Sequence, residues 1–325
     1  MPIIESQGYY PDILFRNGHL NTIITNLFRK VNDLSYDRKR IYTPDNDFLD
    51  LDFSKVDSDV LVIVLHGLEG SSKSLYIKGI IKAFNKTGWD AVAVNLRSCS
   101  GEPNLLFSSY HSGKTDDVDI VLDYISANCH YKKILMIGFS LGGNIVLKYA
   151  GEKAQNVAPI IKGFAGVSVP CDLTSASENL GKISNRIYLL RFLKTLKKKV
   201  RLKKDKFPQS TLTIAAIKNI KNFLDFDNLY TAPAHGFDDA FDYWEKCSCK
   251  KFLNTICIPS YLINALDDPF LTNSCFPFEE ANKNSNFYFE APKYGGHVGF
   301  KEKMTSTSEF WHEKKIIAFF KKCLL

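Results

Sequence analysis

The chain has 325 residues, 45% apolar and 24% charged, a balance that supports a substantial buried core and excludes an intrinsically disordered polypeptide. Its 42 basic and 35 acidic side chains leave a net charge of +7, with much of the excess in Lys194 to Lys206, KTLKKKVRLKKDK. No segment reaches the length of about 18 uninterrupted apolar residues that a membrane span needs, and the N-terminus lacks the basic start and apolar run of a signal peptide.

From about residue 59 onward, short β-branched runs alternate with helical patterns, the signature of a mostly parallel sheet flanked by helices. The pattern predicts strands at Val60 to Leu65, Ala91 to Leu96, Ile134 to Gly138, Gly163 to Val169, Ser260 to Ala265 and Asn286 to Glu290. It predicts helices at about Leu75 to Thr87, Asp116 to Asn128, Leu141 to Gly151 and Ser308 to Lys322. The fully apolar stretches VLVIVL and ILMI belong near the centre of a sheet covered on both faces. From about Cys171 to Phe252 the alternation gives way to helical, lysine-rich sequence, in which Leu189, Leu193, Leu196 and Val200 form an apolar underside facing the body. The expectation is one α/β domain over residues 1–325, with a helical cap inserted at about 171–252.

The eight cysteines show no CxxC pair and suit reduced thiols in a cytosolic protein, and Cys247-Ser-Cys249 lacks the further ligands that zinc requires. The lysine run reads first as a solvated helix face. Its second reading is peripheral contact with an anionic membrane through the basic cap. Nucleic acid is not an expected partner, because the run has no interleaved aromatics and no binding module.

The chemistry centres on Gly138-Phe-Ser140-Leu-Gly142, a G-x-S-x-G match that is weak alone. Between an apolar strand and a helix it becomes a sharp turn that exposes Ser140, with glycines where side chains would collide. A serine hydroxyl needs a base and a third group to orient that base. Of the histidines at 19, 66, 111, 130, 235, 297 and 312, only His297 follows the last strand, in the glycine-rich loop KYGGHVGF. The acid should leave the end of the preceding strand, where INALDDPF offers Asp267 and Asp268. Asp268, third after Ala265 and followed by Pro269, is preferred, and Asp267 stays open. An oxyanion would be met by the backbone N–H groups of Leu141 and of Leu68, the latter following His66-Gly67, with His66 as a loop organiser.

Several stretches resemble, in order, the YheT-like branch of the α/β-hydrolases, which includes bacterial YheT proteins, plant embryogenesis-associated EMB8 proteins and the animal ABHD1/ABHD2/ABHD3 group. They are GHLNT (18–22), HGLEGSS (66–72), NLRSCSGEPN (95–104), YHSG (110–113) with TDD (115–117), GFSLGGN (138–144), DDPF (267–270) and GGHVGF (295–300). The resemblance implies an α/β-hydrolase fold and a serine hydrolase of carboxylic esters, a carboxylesterase or a lipase or phospholipase for short to medium acyl chains. It carries over Ser140 as nucleophile, His297 as base and one aspartate of the 267–268 pair, with a small-molecule ester or lipid as substrate and no metal or organic cofactor. Two positions depart from the family: its glutamine is Asn21 here, and its glycine after the arginine is Ser98. The N-terminal anchor of the animal members has no counterpart, so a cytoplasmic location is expected, with at most peripheral membrane contact. The alternatives are an acyltransferase to an alcohol or lysophospholipid, for which His111 to Asp116 offers an HxxxxD match, and a non-catalytic binding protein of the same fold.

Overall fold

The structure is a computed structural model that describes residues 2–305 and 309–325. In chain order its regular elements are β1 (Ile3–Ile4), α1 (Gly18–Phe28), β2 (Asp37–Tyr42), β3 (Phe48–Ser54), β4 (Val60–Leu65), α2 (Leu75–Lys86), β5 (Asp90–Asn95), α3 (Asp116–Asn128), β6 (Lys133–Phe139), α4 (Leu141–Lys153) and β7 (Ile161–Val167). Then come the helices α5 (Leu173–Leu180), α6 (Arg186–Lys206), α7 (Ile214–Asn219), α8 (Phe223–Phe226), α9 (Ala232–His235) and α10 (Ala240–Cys247). The chain closes with β8 (Ser260–Ile263), α11 (Phe278–Lys283), β9 (Phe287–Glu290) and α12 (Trp311–Cys323).

The strands form one sheet in the order β1-β9-β8-β7-β6-β4-β5-β3-β2. The pairings are parallel from β1 to β5, while β5–β3 and β3–β2 are antiparallel, so that β3 alone among the described strands runs against the rest. Successive residues of β4 and β6 serve opposite layers, which is why these strands are apolar throughout. Leu61, Ile63, Leu65 and Met136 pack with Val121 of α3 and Ile145 of α4. Val62, Val64, Leu135 and Ile137 pack with Ile80 of α2 and Phe320 of α12.

Strand β4 and helix α3 match the predicted bounds to the residue, while β7 begins two residues before the prediction and β8 stops two residues short. The predicted start of the last helix, Ser308, lies outside the described residues. Helix α1 and the hairpin β2–β3 were not anticipated. In β3 the side chains of Asp50 and Asp52 are buried, made tolerable by bidentate Arg40 and Arg38 from β2, at 2.8 Å for the Arg40 Nε to Asp50 contact and 2.6 Å for Arg38 Nε to Asp52.

Between β7 and β8, helices α5 to α10 gather round an apolar cluster of their own, which takes Leu189, Leu193, Leu196 and Val200 from α6 and Phe223, Phe226 and Trp244 from the helices that follow. The lysine run does not lie wholly in solvent. Lys199 reaches Glu69 at 2.7 Å, and Lys203 is buried on the carbonyls of Asn104 and Leu106. No described helix is long and apolar enough to cross a membrane. All eight cysteines are free thiols.

Candidate active site

Strand β6 delivers the chain to Ser140 in the middle of the sheet, and α4 carries it away at once. Ser140 takes φ 53° and ψ −120°, a backbone conformation that non-glycine residues rarely adopt, and its N–H is held by the Val167 carbonyl at 2.9 Å. The flanking glycines are required sterically. A Cβ on Gly138 would lie 2.1 Å from the Gly142 carbonyl oxygen, and one on Gly142 would lie 2.5 Å from that of His66. The second approach also seats the loop after β4 directly beside the serine.

His297 comes from the loop after β9 and Asp268 from the turn after β8, neighbouring strands whose C-terminal ends sit on the same edge as β6. His297 Nε2 lies 2.9 Å from Ser140 Oγ, and its Nδ1 lies 2.9 and 3.1 Å from Oδ2 and Oδ1 of Asp268. With Nδ1–H donated to Asp268, Nε2 is the lone-pair nitrogen facing the hydroxyl. Asp268 is further fixed by the Phe270 N–H at 2.9 Å, and the Phe270 ring covers the imidazole at a centroid distance of 4.1 Å.

Asp267 points elsewhere. Its Oδ1 accepts the Gly296 N–H at 2.8 Å, one residue before His297. Burial, with the Asp268 charge added and the Gly296 N–H opposing, pushes the Asp267 carboxyl from the usual 3.8 up to about 6. The two adjacent carboxyls thus divide the work: one meets the ring, and the other holds the backbone that carries it. Gly296, at φ 58°, packs so closely on α1 that a Cβ would sit 2.4 Å from the Gly18 carbonyl oxygen.

Leu141 and Leu68 both line the cavity at Ser140. The loop bearing Leu68 is pinned on either side, because the Gly67 N–H donates to the Tyr76 hydroxyl and the Glu69 N–H to the Tyr110 hydroxyl, each at 2.9 Å. His66 is buried, donates Nδ1–H to the Gly67 carbonyl at 2.8 Å and accepts the Leu96 N–H on Nε2 at 3.1 Å. Burial lowers its pKa to about 4, so it is a neutral tie between two loops. His111 and Asp116 of the HxxxxD match are engaged separately, the first with the Gly113 N–H and the second with Lys114. Among the described residues no group of three or more His, Cys, Asp and Glu side chains could hold a metal ion.

A cavity of about 120 Å³ opens on Ser140 under the α5–α10 helices. Its walls are mostly apolar, with Leu173, Leu180, Phe192, Phe223 and Trp244 among them. Several residues that build this site carried no assigned role in the sequence: Tyr76, Tyr110, Glu69, Lys199 and Phe270 touch the groups above, and Thr22 Oγ1 accepts the His297 N–H at 2.8 Å. The departures are accommodated. Asn21 is fully buried and accepts the Lys301 N–H at 3.1 Å, while Ser98 takes φ 64°, where glycine would be unstrained, and accepts the Asn104 N–H at 3.0 Å.

A model of the alpha/beta hydrolase fold matches residues 60–303. The YheT protein of Escherichia coli (strain K12) is 33% identical over 317 residues, which is 96% of this chain and 92% of that one. Phospholipase ABHD3 of Homo sapiens is 27% identical over 309 residues, 92% of this chain and 75% of its own length. Among solved structures, the Pyrococcus furiosus esterase Pf2001 superposes with a TM-score of 0.59 at 18% identity, over 89% of this chain and 91% of that one, a likeness of fold. A sharp strand-turn-helix at Ser140 on a mostly parallel sheet, the matching family model and a relative alike over nearly the whole chain agree: this chain belongs to the α/β-hydrolase fold family, in the branch of YheT and ABHD3.

Proposed function

We propose that this chain is a serine hydrolase that cleaves carboxylic esters through an acyl-enzyme on Ser140. The observation that carries the reading is the unbroken row Asp268, His297, Ser140, opening into an apolar cavity. His297 Nε2 takes the hydroxyl proton as Oγ bonds to the ester carbonyl carbon, and the displaced π pair settles on the carbonyl oxygen under the Leu68 and Leu141 amides. When that pair returns, the C–O bond to the alcohol breaks and His297 Nε2–H protonates the leaving alkoxide. Water then adds to the acyl carbonyl as His297 takes its proton, and collapse expels Ser140 Oγ, which regains the proton as the carboxylic acid leaves. Asp268 keeps the proton on Nδ1 and stabilises the imidazolium that forms in each half.

The small, apolar cavity over Ser140 supports short to medium acyl chains. The phospholipase name of ABHD3 adds glycerolipid esters to the substrates worth testing. A fluorophosphonate probe should label the intact protein and not Ser140→Ala. Absent labelling, or equal labelling of the variant, removes the reading. A series of p-nitrophenyl esters should give kcat/KM that peaks at short or medium chain length and falls beyond it.

A further inference from the structure

The apolar underside of α6, Leu189, Leu193, Leu196 and Val200, is buried against the helices around it and cannot meet anything outside. A different row faces outward. Ile183, in the turn before α6, and Ile187 and Leu190 on its first turns are 88%, 75% and 55% exposed. Ile187 and Leu190, at i and i+3, share one side of α6, and Ile183 lies in the turn that leads into it. On the N-terminal segment Ile13 is 86% exposed and Leu20 is exposed as well. The two segments meet where His19 stacks on Tyr188 at 5.8 Å, with Nδ1 3.1 Å from the tyrosine hydroxyl. His19 precedes Leu20 and Tyr188 follows Ile187, so exposed aliphatic side chains flank the contact from both elements. Single exposed leucines are ordinary, but a cluster of this kind marks a surface with something to bind.

Charge identifies the occupant. Past Leu190 the same outer side of α6 bears Lys194, Lys198 and Arg201, all exposed, and the helix has one acid, Asp205, at its far end. The side is therefore apolar over its first turns and basic over the rest. A bilayer with anionic headgroups presents the matching arrangement, diffuse negative charge above an apolar layer. The position also suits a lipid hydrolase. Tyr188 packs edge-on against Phe270 at 4.7 Å, and Phe270 covers His297, so the exposed row lies two aromatic rings from the imidazole.

We infer that this face docks the protein on an anionic lipid surface, with Ile183, Ile187 and Leu190 entering the headgroup boundary and Lys194, Lys198 and Arg201 resting on the headgroups. Its purpose, presenting a lipid ester to Ser140, rests on the hydrolase reading, whereas the binding itself needs no turnover.

The test uses the Ser140→Ala protein and sedimentation with vesicles of phosphatidylcholine alone or with added phosphatidylserine. Binding is expected to the second kind and to weaken with salt. The triple change Ile183→Ser, Ile187→Ser, Leu190→Ser should lower partitioning about tenfold or more, and the pair Lys194→Glu, Lys198→Glu by a similar factor. Placed in the Ser140-containing chain, both sets should leave thermal unfolding and cleavage of a soluble p-nitrophenyl ester unchanged. No binding to the phosphatidylserine vesicles, equal binding by the triple variant, or equal binding to neutral vesicles would overturn the inference. Vesicle binding by a protein that cleaves no soluble ester would uphold the docking face and discard the hydrolase reading instead.

Discussion

At the scale of single residues, two neighbouring carboxyls with opposite tasks offer the sharpest comparison. Asp268 accepts Nδ1–H of His297, so Asp268→Asn would place an amide NH₂ against that nitrogen and favour the tautomer with its proton on Nε2, which cannot accept from Ser140. A loss in kcat of about a thousandfold to ten-thousandfold is expected, with little change in folding. Asp267→Asn keeps an oxygen for the Gly296 N–H and should retain most of the activity. Its effect belongs to stability. Because the folded-state pKa of Asp267 is raised to about 6 from 3.8, the native protein binds the proton more tightly than the unfolded chain, and ionisation above pH 6 costs stability. Asp267→Asn removes that cost. Its unfolding free energy should exceed the parent's above pH 6 by about 3 kcal/mol, and the gap should close as the pH falls toward 4. A constant gap across that range, or a kcat loss matching that of Asp268→Asn, would reverse the assignment of the two roles.

Among the elements, α6 joins the helices between β7 and β8 to the loop proposed to bind the oxyanion. Lys199 on its inner side meets Glu69, the residue after Leu68, at 2.7 Å, and the same carboxylate accepts the Tyr110 hydroxyl at 2.7 Å. Glu69 also sits at φ 56°, a strained position for a side-chain-bearing residue, so these contacts hold the loop where it would not rest alone. Lys199→Met leaves the Glu69 carboxylate, 6% exposed, without its cation, and should lower both stability and kcat, the latter about tenfold, with KM for a small ester little changed. Adding Glu69→Gln should restore stability more than kcat. Full recovery of both by the double variant would reduce the pair to packing. Sequence reading finds elements of this kind unevenly, for physical reasons. The run VLVIVL announced β4 because a strand covered on both faces has no polar position to blur it. The strands β2 and β3 were hidden because DRKRIY is mostly exposed edge, and because the two aspartates of FLDLDFS are buried by pairing with a neighbour that no local pattern reveals. The stripe on α6 was legible from its period, while the division of its lysines between solvent, Glu69 and the Asn104 carbonyl depends on loops about a hundred residues away.

For the molecule as a whole, the family model spans residues 60–303, yet the loop of His297 is held from outside that span by α1, which is itself tied to α12. Thr22 on α1 accepts the His297 N–H at 2.8 Å and donates to the Gly18 carbonyl at 2.7 Å, so α1 and the loop of His297 share one hydroxyl. Farther along the same segment, Arg29 grips Glu313 of α12 bidentately at 2.8 and 2.9 Å, with their side chains 7% and 0% exposed. The two contacts differ in kind. Breaking the ion pair strands a fully buried carboxylate, so Arg29→Met should cost about 3 to 5 kcal/mol in unfolding free energy while the folded fraction keeps its kcat at low temperature. Thr22→Val preserves shape but removes the acceptor of a buried N–H, a cost of only about 1 to 3 kcal/mol. The loop can recover that bond only by moving, and displacing the imidazole from Ser140 by a fraction of an ångström is enough to lower kcat about tenfold. Denaturant midpoints and single-turnover rates, measured on both variants under conditions where each is folded, separate the effects. If Thr22→Val acylates at the parent rate, or if Arg29→Met unfolds with the parent midpoint, the N-terminal segment is merely packed beside the site. If both outcomes follow as expected, α1 sets the position of His297 through Thr22, and its tie to α12 supports the fold rather than the chemistry.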